Sequence, residues 1–275
     1  MKKYYTRACN FFYGTESKKL IQKKLSLPLC GDKLISFNQV EIFTKEKKNV
    51  RSKVIDIKNI YKLSSILRAK VLKDIRSITA KREFLKKDHM IMGILNMTPD
   101  SFSDGGKFNS LKKASKKIKE MSTAGVDIID IGGESTRPGS KIISPKNELK
   151  RVKKIIEKFK KKFPKILLSI DTRKSLVMDF SIKNSLDIIN DVSCFKYDLK
   201  SFDTIKNKNL WKVIHHMQGT PQTMQDNPFY NNVLLDIYDF FEDEIKRFKK
   251  FKHGEKIILD PGIGFGKNLK HNLMI

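Results

Sequence analysis

The sequence predicts an α/β protein, a parallel (β/α)8 TIM barrel of which about six of the eight β/α units are present. Three observations predict it. From residue 89 onward, short apolar runs alternate with amphipathic helical stretches, the pattern of a parallel α/β fold. The runs are rich in Ile, Leu and Val, as strands buried on both faces are. Nearly every run then ends in a polar residue or polar loop, and a barrel enzyme gathers its site at the C-terminal ends of its strands.

Residues 1 to about 88 read differently from the rest. A pair of strands is expected there, Lys33–Phe37 and Val40–Phe43, with Asn38-Gln39 between them and the charged stretch Lys45-Glu46-Lys47-Lys48 next. Leu63, Ile66, Leu67, Val71 and Ile75 fall close to helical spacing, which predicts a helix near Tyr61–Arg76. No chemical motif occurs in this region. It is expected to be an N-terminal extension of unknown role, ahead of a barrel domain over 89–275.

The six expected strands are Met90–Leu95, Val126–Ile131, Ile166–Ile170, Asp187–Ile189, Trp211–Ile214 and Lys256–Leu259. Between them, Asn109 or Ser110 can cap a helix with Leu111, Ala114, Ile118 and Met121 on one face, and Gly125 stops it. Ser144 followed by Pro145 starts another: a capping hydroxyl, then proline where no N–H is needed. Leu149, Val152, Ile155, Ile156 and Phe159 form its stripe. Asn232 caps a third, with Leu234, Ile237, Tyr238, Phe241, Ile245 and Phe248 expected to face inward.

Composition narrows the classes. The chain has 275 residues with a net charge of +27, from 57 Lys+Arg against 30 Asp+Glu. Such an excess suits nucleic acid when it is clustered. Here the lysines are spread along the chain and its helices' polar faces, so no nucleic-acid partner is expected. No apolar run is long enough to span a bilayer, and Met1-Lys2-Lys3-Tyr4-Tyr5-Thr6-Arg7 lacks the apolar stretch of an export signal. Cys9, Cys30 and Cys194 are far apart and form no CxxC, so reduced thiols and a cytoplasmic location are expected.

The chemistry sits where the strands end. Strand one ends at Asn96, strand two holds Asp130, and strand three ends at Asp171. Strand four ends at Asn190-Asp191, strand five at His215-His216 and strand six at Asp260. A single Asp after a strand is a common helix cap, but six strands ending this way point to one shared site. Of the two histidines, neighbours on a strand face opposite ways, so both cannot readily hold one metal ion. His216 is expected to face the site and His215 to face elsewhere. The glycine-rich Gly262-Ile263-Gly264-Phe265-Gly266-Lys267-Asn268 is not a P-loop. Pro261 stands where its first glycine belongs, and Asn268 where a Ser or Thr would hold Mg2+.

The same segments carry a resemblance. Gly93-Ile94-Leu95-Asn96-Met97-Thr98-Pro99-Asp100-Ser101-Phe102-Ser103-Asp104-Gly105-Gly106 resembles the first hallmark of the dihydropteroate synthase family. Asp130-Ile131-Gly132-Gly133-Glu134-Ser135-Thr136-Arg137-Pro138-Gly139 resembles the second. Ser169-Ile170-Asp171-Thr172, Ile189-Asn190-Asp191, His216-Met217-Gln218-Gly219 and Leu259-Asp260-Pro261-Gly262-Ile263-Gly264-Phe265-Gly266-Lys267-Asn268 follow in the family's order. The resemblance covers about residues 90–275.

The resemblance implies a (β/α)8 barrel that condenses 6-hydroxymethyl-7,8-dihydropterin diphosphate with p-aminobenzoate, with Mg2+, giving dihydropteroate and pyrophosphate. It implies that Asp171, Asn190 and Asp260 hold the pterin and that Asn96 lies by Mg2+ and the diphosphate. It places Thr136, Arg137 and Pro138 in the p-aminobenzoate loop. Asp104 and Arg137 are the implied catalytic residues, and His216 and Lys267 are implied substrate contacts. Sulfonamides, which mimic p-aminobenzoate, are implied competitors, and a homodimer is an option for a complete enzyme. The family's seventh strand, with a Ser-Arg-Lys-type segment, and its eighth, with Arg-x-His, have no counterpart here. The 275 residues alone are therefore expected to be inactive or very weak. The alternatives are a truncated inactive pterin-barrel protein, a pterin-dependent methyltransferase relative and, from a different class, a basic nucleic-acid binder.

Overall fold

The computed structural model describes residues 2–81, 89–98, 107–135 and 142–275, with the backbone alone at 107–110. The chain divides into two compact units, Met1–His89 and Met90–Ile275.

The first unit is a four-stranded antiparallel sheet with helices. Its elements are β1 (Lys2–Tyr13), α1 (Gly14–Gln22), β2 (Leu27–Leu29), β3 (Asp32–Glu46), β4 (Asn49–Asp56), a 3-10 turn (Ile57–Lys62) and α2 (Ser65–Thr79). The long β3 pairs with β1 on one side, from Lys2↔Glu46 to Tyr13↔Ile35. On its other side it pairs with β2 and β4. Cys30 and Gly31 both have positive φ, 50° and 77°, which is what a two-residue hairpin between Leu29 and Asp32 requires. Phe37, Val40 and Ile42 pack with Ile60, Val71 and Ile75 to form the core. Thr6 Oγ1 donates to Asp74 Oδ2 at 2.8 Å and ties α2 to β1.

This corrects the expected pair of strands. Asn38 and Gln39 do not turn the chain but lie within one continuous strand, Asp32–Glu46. Their polarity is met sideways. Asn10 Nδ2 donates to Asn38 Oδ1 at 2.8 Å, and Gln39 Nε2 donates to Asp56 Oδ1 at 3.0 Å. The helix expected near Tyr61–Arg76 begins at Ser65, after the 3-10 turn.

The second unit alternates strand and helix: β5 (Met92–Asn96), α3 (Lys107–Thr123), β6 (Ile128–Gly132), α4 (Pro145–Lys162), β7 (Leu167–Asp171), α5 (Ser175–Lys183), β8 (Ile188–Asp191), α6 (Ser201–Ile205), β9 (Trp211–His215), α7 (Val233–Phe248), β10 (Ile257–Asp260) and α8 (Leu269–Met274). The six strands are parallel, and their order in space is their order in sequence, β5 through β10. An open doubly wound sheet would reverse direction at a switch point. Unbroken order is the arrangement of a barrel wall.

The helices form for the reasons the sequence suggests. Ser144 Oγ accepts from Asn147 N at 3.3 Å ahead of Pro145, and Val152, Ile155, Ile156 and Phe159 are buried beneath α4. Asn232 Oδ1 accepts from Leu235 N at 3.2 Å and starts α7. The buried stripe of α7 is rotated from the expected one. Val233, Leu235, Ile237 and Phe248 are buried, whereas Tyr238 is exposed. The apolar layer between strands and helices centres on Ile129, Ile131, Leu168, Ile170, Ile189 and Ile214, each essentially inaccessible to solvent. Among the described residues, no helix is long and apolar enough to cross a membrane.

Candidate active site

Register fixes which side chains meet. Asn96, Gly132, Asp171 and Asn190 pair strand to strand in one row. One step back along each strand, Ile94, Asp130, Ser169 and Ile188 form a second row on the same face. The intervening residues, such as Leu95, Ile129, Ile131, Ile170 and Ile189, face the helices and form the core. The polar rows therefore line the face opposite the helices.

In these rows Asn190 reaches past β7, and its Nδ2 donates to Asp130 Oδ2 at 2.9 Å. Asp130 Oδ1, Asn190 Oδ1 and Ser169 Oγ are buried without a hydrogen-bond partner. Buried polar groups are rarely left this way, and an unmet donor or acceptor costs about 1–3 kcal/mol. Three such atoms lie together in one patch. Burial raises the Asp130 carboxyl above its usual range, opposed by Ser169 and Asn190. Asp171 sits well above the usual range. Burial at the strand end is the larger cause, then the charges of Asp130, Asp191, Glu148 and Glu134, although its edge is still partly open to solvent. Gly132 leaves the gap between Asn96 and Asp171. A Cβ there would lie 3.4 Å from Asn96 Oδ1 and 3.7 Å from Asp171 Oδ2.

At the far end of the row, Asn190 pairs with Val213, Val213 with Ile258, and His215 with Asp260. Alternation puts His215 and Asp260 on the polar face and His216 on the helix face. This reverses the expectation for the two histidines. His216 packs edge-on against Phe240 of α7, and its Nδ1 meets Lys267 Nζ at 3.1 Å. Burial, then the charge of Lys267, lowers its pKa to about 4. Lys267 is turned into its own loop. Its Nζ donates to the carbonyls of His216, Gly262 and Phe265 at 3.2, 3.0 and 2.9 Å, and burial lowers its pKa to about 8. In this arrangement Lys267 closes the glycine-rich loop and His216 supports it.

Beside the rows lies a fully buried ionic group. Arg173 Nη2 meets Glu134 Oε2 at 2.7 Å, and Lys174 Nζ bridges Glu134 Oε1 at 2.9 Å and Glu148 Oε2 at 2.6 Å. Ile143 N also donates to Glu134 Oε1 at 3.0 Å. Burial alone would raise the Glu134 carboxyl, but these bonds outweigh it and hold it below the usual range. Asp191 is the third buried carboxylate here. It accepts from Ser193 N, Ser193 Oγ and Phe195 N, and burial raises it to about 6.

Of the residues singled out from sequence, Asn96, Asp171 and Asn190 share one row, and Asp260 lies on the same face two strands beyond. Asp104, Thr136, Arg137 and Pro138 lie outside the described residues. Asp130 and His215 were noted at their strand ends but not among the implied substrate contacts, and Ser169 was missed. Counting back two residues from Asp171 would have found Ser169. The ionic group of Glu134, Arg173, Lys174 and Glu148 left no such signal.

A parallel barrel wall with a buried polar patch at the C-terminal ends of its strands defines the α/β-barrel class, in which enzymes gather their sites at that rim. The pattern of the pterin binding enzyme family matches residues 92–275, so the chain belongs to that family. It is 44% identical over 183 residues to the dihydropteroate synthase of Escherichia coli, covering 66% of this chain and 64% of that protein. The chain thus spans a little under two thirds of the length of that relative. The second unit is also similar to two solved structures. One is Yersinia pestis dihydropteroate synthase with a sulfonamide drug complex (TM-score 0.62, 41% identity, 67% of each chain). The other is Clostridium difficile dihydropteroate synthase in the presence of pteroic acid (TM-score 0.61, 41% identity, 68% and 69% of the two chains).

Proposed function

We propose that this chain carries the pterin-binding part of a dihydropteroate synthase, which joins 6-hydroxymethyl-7,8-dihydropterin diphosphate to p-aminobenzoate and releases pyrophosphate. The observation that carries the reading is the patch of Asp130, Ser169 and Asn190, with three buried polar atoms lacking partners. A pterin ring presents amino and ring N–H donors beside ring nitrogens and a carbonyl. Asp130 and Asp260 accept from the donors. Asn190, fixed through its amide N–H by Asp130, turns its oxygen to the ligand. Asp171, whose carboxyl burial and the neighbouring carboxylates hold above its usual range, faces the same ring from the strand end.

The reaction breaks the bond between the pterin methylene carbon and the diphosphate oxygen, which leaves with the electron pair. The p-aminobenzoate nitrogen supplies the pair for the new C–N bond and loses a proton to solvent. The electron-rich ring helps the bond break early, so no strong base is needed. The residues orient the ring and hold its methylene in line with the nucleophile. Thr136, Arg137 and Pro138 are assigned to the p-aminobenzoate side, and Asp104 and Arg137 to catalysis.

Asn96 is assigned to Mg2+. Its Oδ1 is a neutral oxygen at the open rim. No cluster of three or more His, Cys, Asp or Glu among the described residues could hold a metal. A single neutral amide oxygen suits Mg2+, which keeps waters and shares substrate phosphates. When bound, Mg2+ neutralises charge developing on the diphosphate. Three free thiols, with burial raising that of Cys194, fit a reducing cytoplasm.

The test has two parts. The 275-residue chain is titrated calorimetrically with 6-hydroxymethylpterin, then assayed for dihydropteroate with the diphosphate, p-aminobenzoate and Mg2+. Pterin binding is expected, and its absence overturns the reading. Binding without turnover keeps the pterin site and removes the synthase step from these 275 residues acting alone.

A further inference from the structure

Asp260 is tied to the protein through both oxygens. Gly262 N donates to Oδ1 at 2.7 Å, and His215 Nδ1 lies 3.2 Å from Oδ2. His215 is 4% exposed, stands edge-on to Phe265 with ring centres 4.8 Å apart, and leaves Nε2 buried without a partner. The backbone closes over that nitrogen. A Cβ on Gly262, whose φ is +68°, would sit 3.0 Å from His215 Nε2 and 2.1 Å from the carbonyl oxygen of His216. A leucine or phenylalanine would fill the same space with no stranded nitrogen. A buried imidazole held at the expense of one unmet nitrogen is explained by what the other does. Because Asp260 is acceptor-only when ionised, the bond between them assigns the proton to Nδ1.

We infer that His215 is a positioning residue of the pterin site, holding the Asp260 carboxylate in the one orientation that presents its free lone pairs to the ligand. This rests on the pterin reading above, in which Asp260 accepts from the ring. The charged neighbours support it. Burial alone would raise the Asp260 carboxyl, but His215 foremost, with Gly262 N–H and the charge of Lys267, outweighs it and holds the group below its usual range. His216, on the opposite face, meets Lys267 and is not part of the pair.

The experiment compares H215N, whose amide nitrogen can stand where Nδ1 is, with H215Q, whose amide reaches the Nε2 position, and with H215L. Affinity for 6-hydroxymethylpterin is measured from pH 8 down to the acid limit of folding, with thermal unfolding at each pH as the folding control. H215L and H215Q are expected to bind about tenfold more weakly, equal to about one pKa unit of lost interaction. Their acid limb of binding should also move to higher pH, because Asp260 then takes up its proton sooner. H215N should keep most of the affinity. Equal affinity and equal acid limbs for H215N and H215Q would overturn the inference. Independently of any ligand, 15N NMR of the imidazoles at pH 7 should show the Nδ1–H tautomer for His215, and the Nε2–H tautomer also overturns it. A chain with the Nδ1–H tautomer that binds no pterin would instead sink the pterin reading and leave the His215–Asp260 pairing standing.

Discussion

Two buried polar clusters lie at the ends of β6 and β7, and they are finished in opposite ways. Glu134, Arg173, Lys174 and Glu148 satisfy one another almost completely, with only Glu148 Oε1 lacking a partner. Asp130, Ser169 and Asn190 share one internal hydrogen bond and leave three atoms unmet. Depth is similar and chemistry is similar, so burial of charge does not by itself mark a site. The closed cluster is framework. The open one is the cluster to which the proposed function assigns the ligand.

The largest way to break the contrast is to open the closed cluster. Lys174→Met strands Glu148 and half of Glu134 without a cation, and removing one partner of a buried pair costs about 3–5 kcal/mol. Urea unfolding measures it. Adding Glu148→Leu should recover part of that loss, and no recovery would show that the two do not act as a pair.

Closing the open cluster should spare stability and cost binding. Asp130→Asn keeps an oxygen for Asn190 but removes the charge. Pterin affinity should fall about ten- to hundredfold, the worth of a hydrogen bond to a charged group. Unfolding free energy should hold or rise, since burial already penalises the ionised form. A large drop in unfolding free energy with unchanged affinity would invert the assignment of the two clusters.

The pH response sharpens the comparison further. The Asp191 carboxyl is raised from 3.8 to about 6 in the fold. Below the lower value both states hold the proton. Between the two the folded state binds more protons, so stability falls as pH rises through that window. Asp191→Asn removes that slope. Its stability deficit against the parent should therefore shrink by about 2 kcal/mol between pH 4.5 and 7.5. Glu134, with its pKa lowered, works the other way, losing stability as pH falls through its folded pKa. The smallest effect belongs to Ser144→Ala, which removes the cap of the helix carrying Glu148 and should cost about 1 kcal/mol in unfolding experiments.

The strand-and-helix rhythm from Met92 to Asp260 was readable because buried parallel strands write unbroken apolar runs. Each strand's C-terminal end moved by a residue or two, since a polar terminal residue such as Asn96 or Asp171 still pairs in the sheet. The caps at Ser144 and Asn232 were readable because a hydroxyl or amide before an apolar period has one local use. Asn38-Gln39 misled because turn-forming residues were satisfied by Asn10 and Asp56, neither of them local. His215 and His216 misled for a related reason. Which of two adjacent residues faces a site depends on sheet register, and register is set by neighbouring strands. The ionic group around Glu134 joins residues up to 40 positions apart, beyond any local pattern.

Because the strands stand in space in the order they occur in sequence, the ribosome delivers the rim from one side to the other. Asn96 emerges first, then Asp130, Asp171 and Asn190, with His215 and Asp260 last. Each strand after β5 meets the exposed edge of one already made. The pocket is written along the chain as a wall laid in one direction.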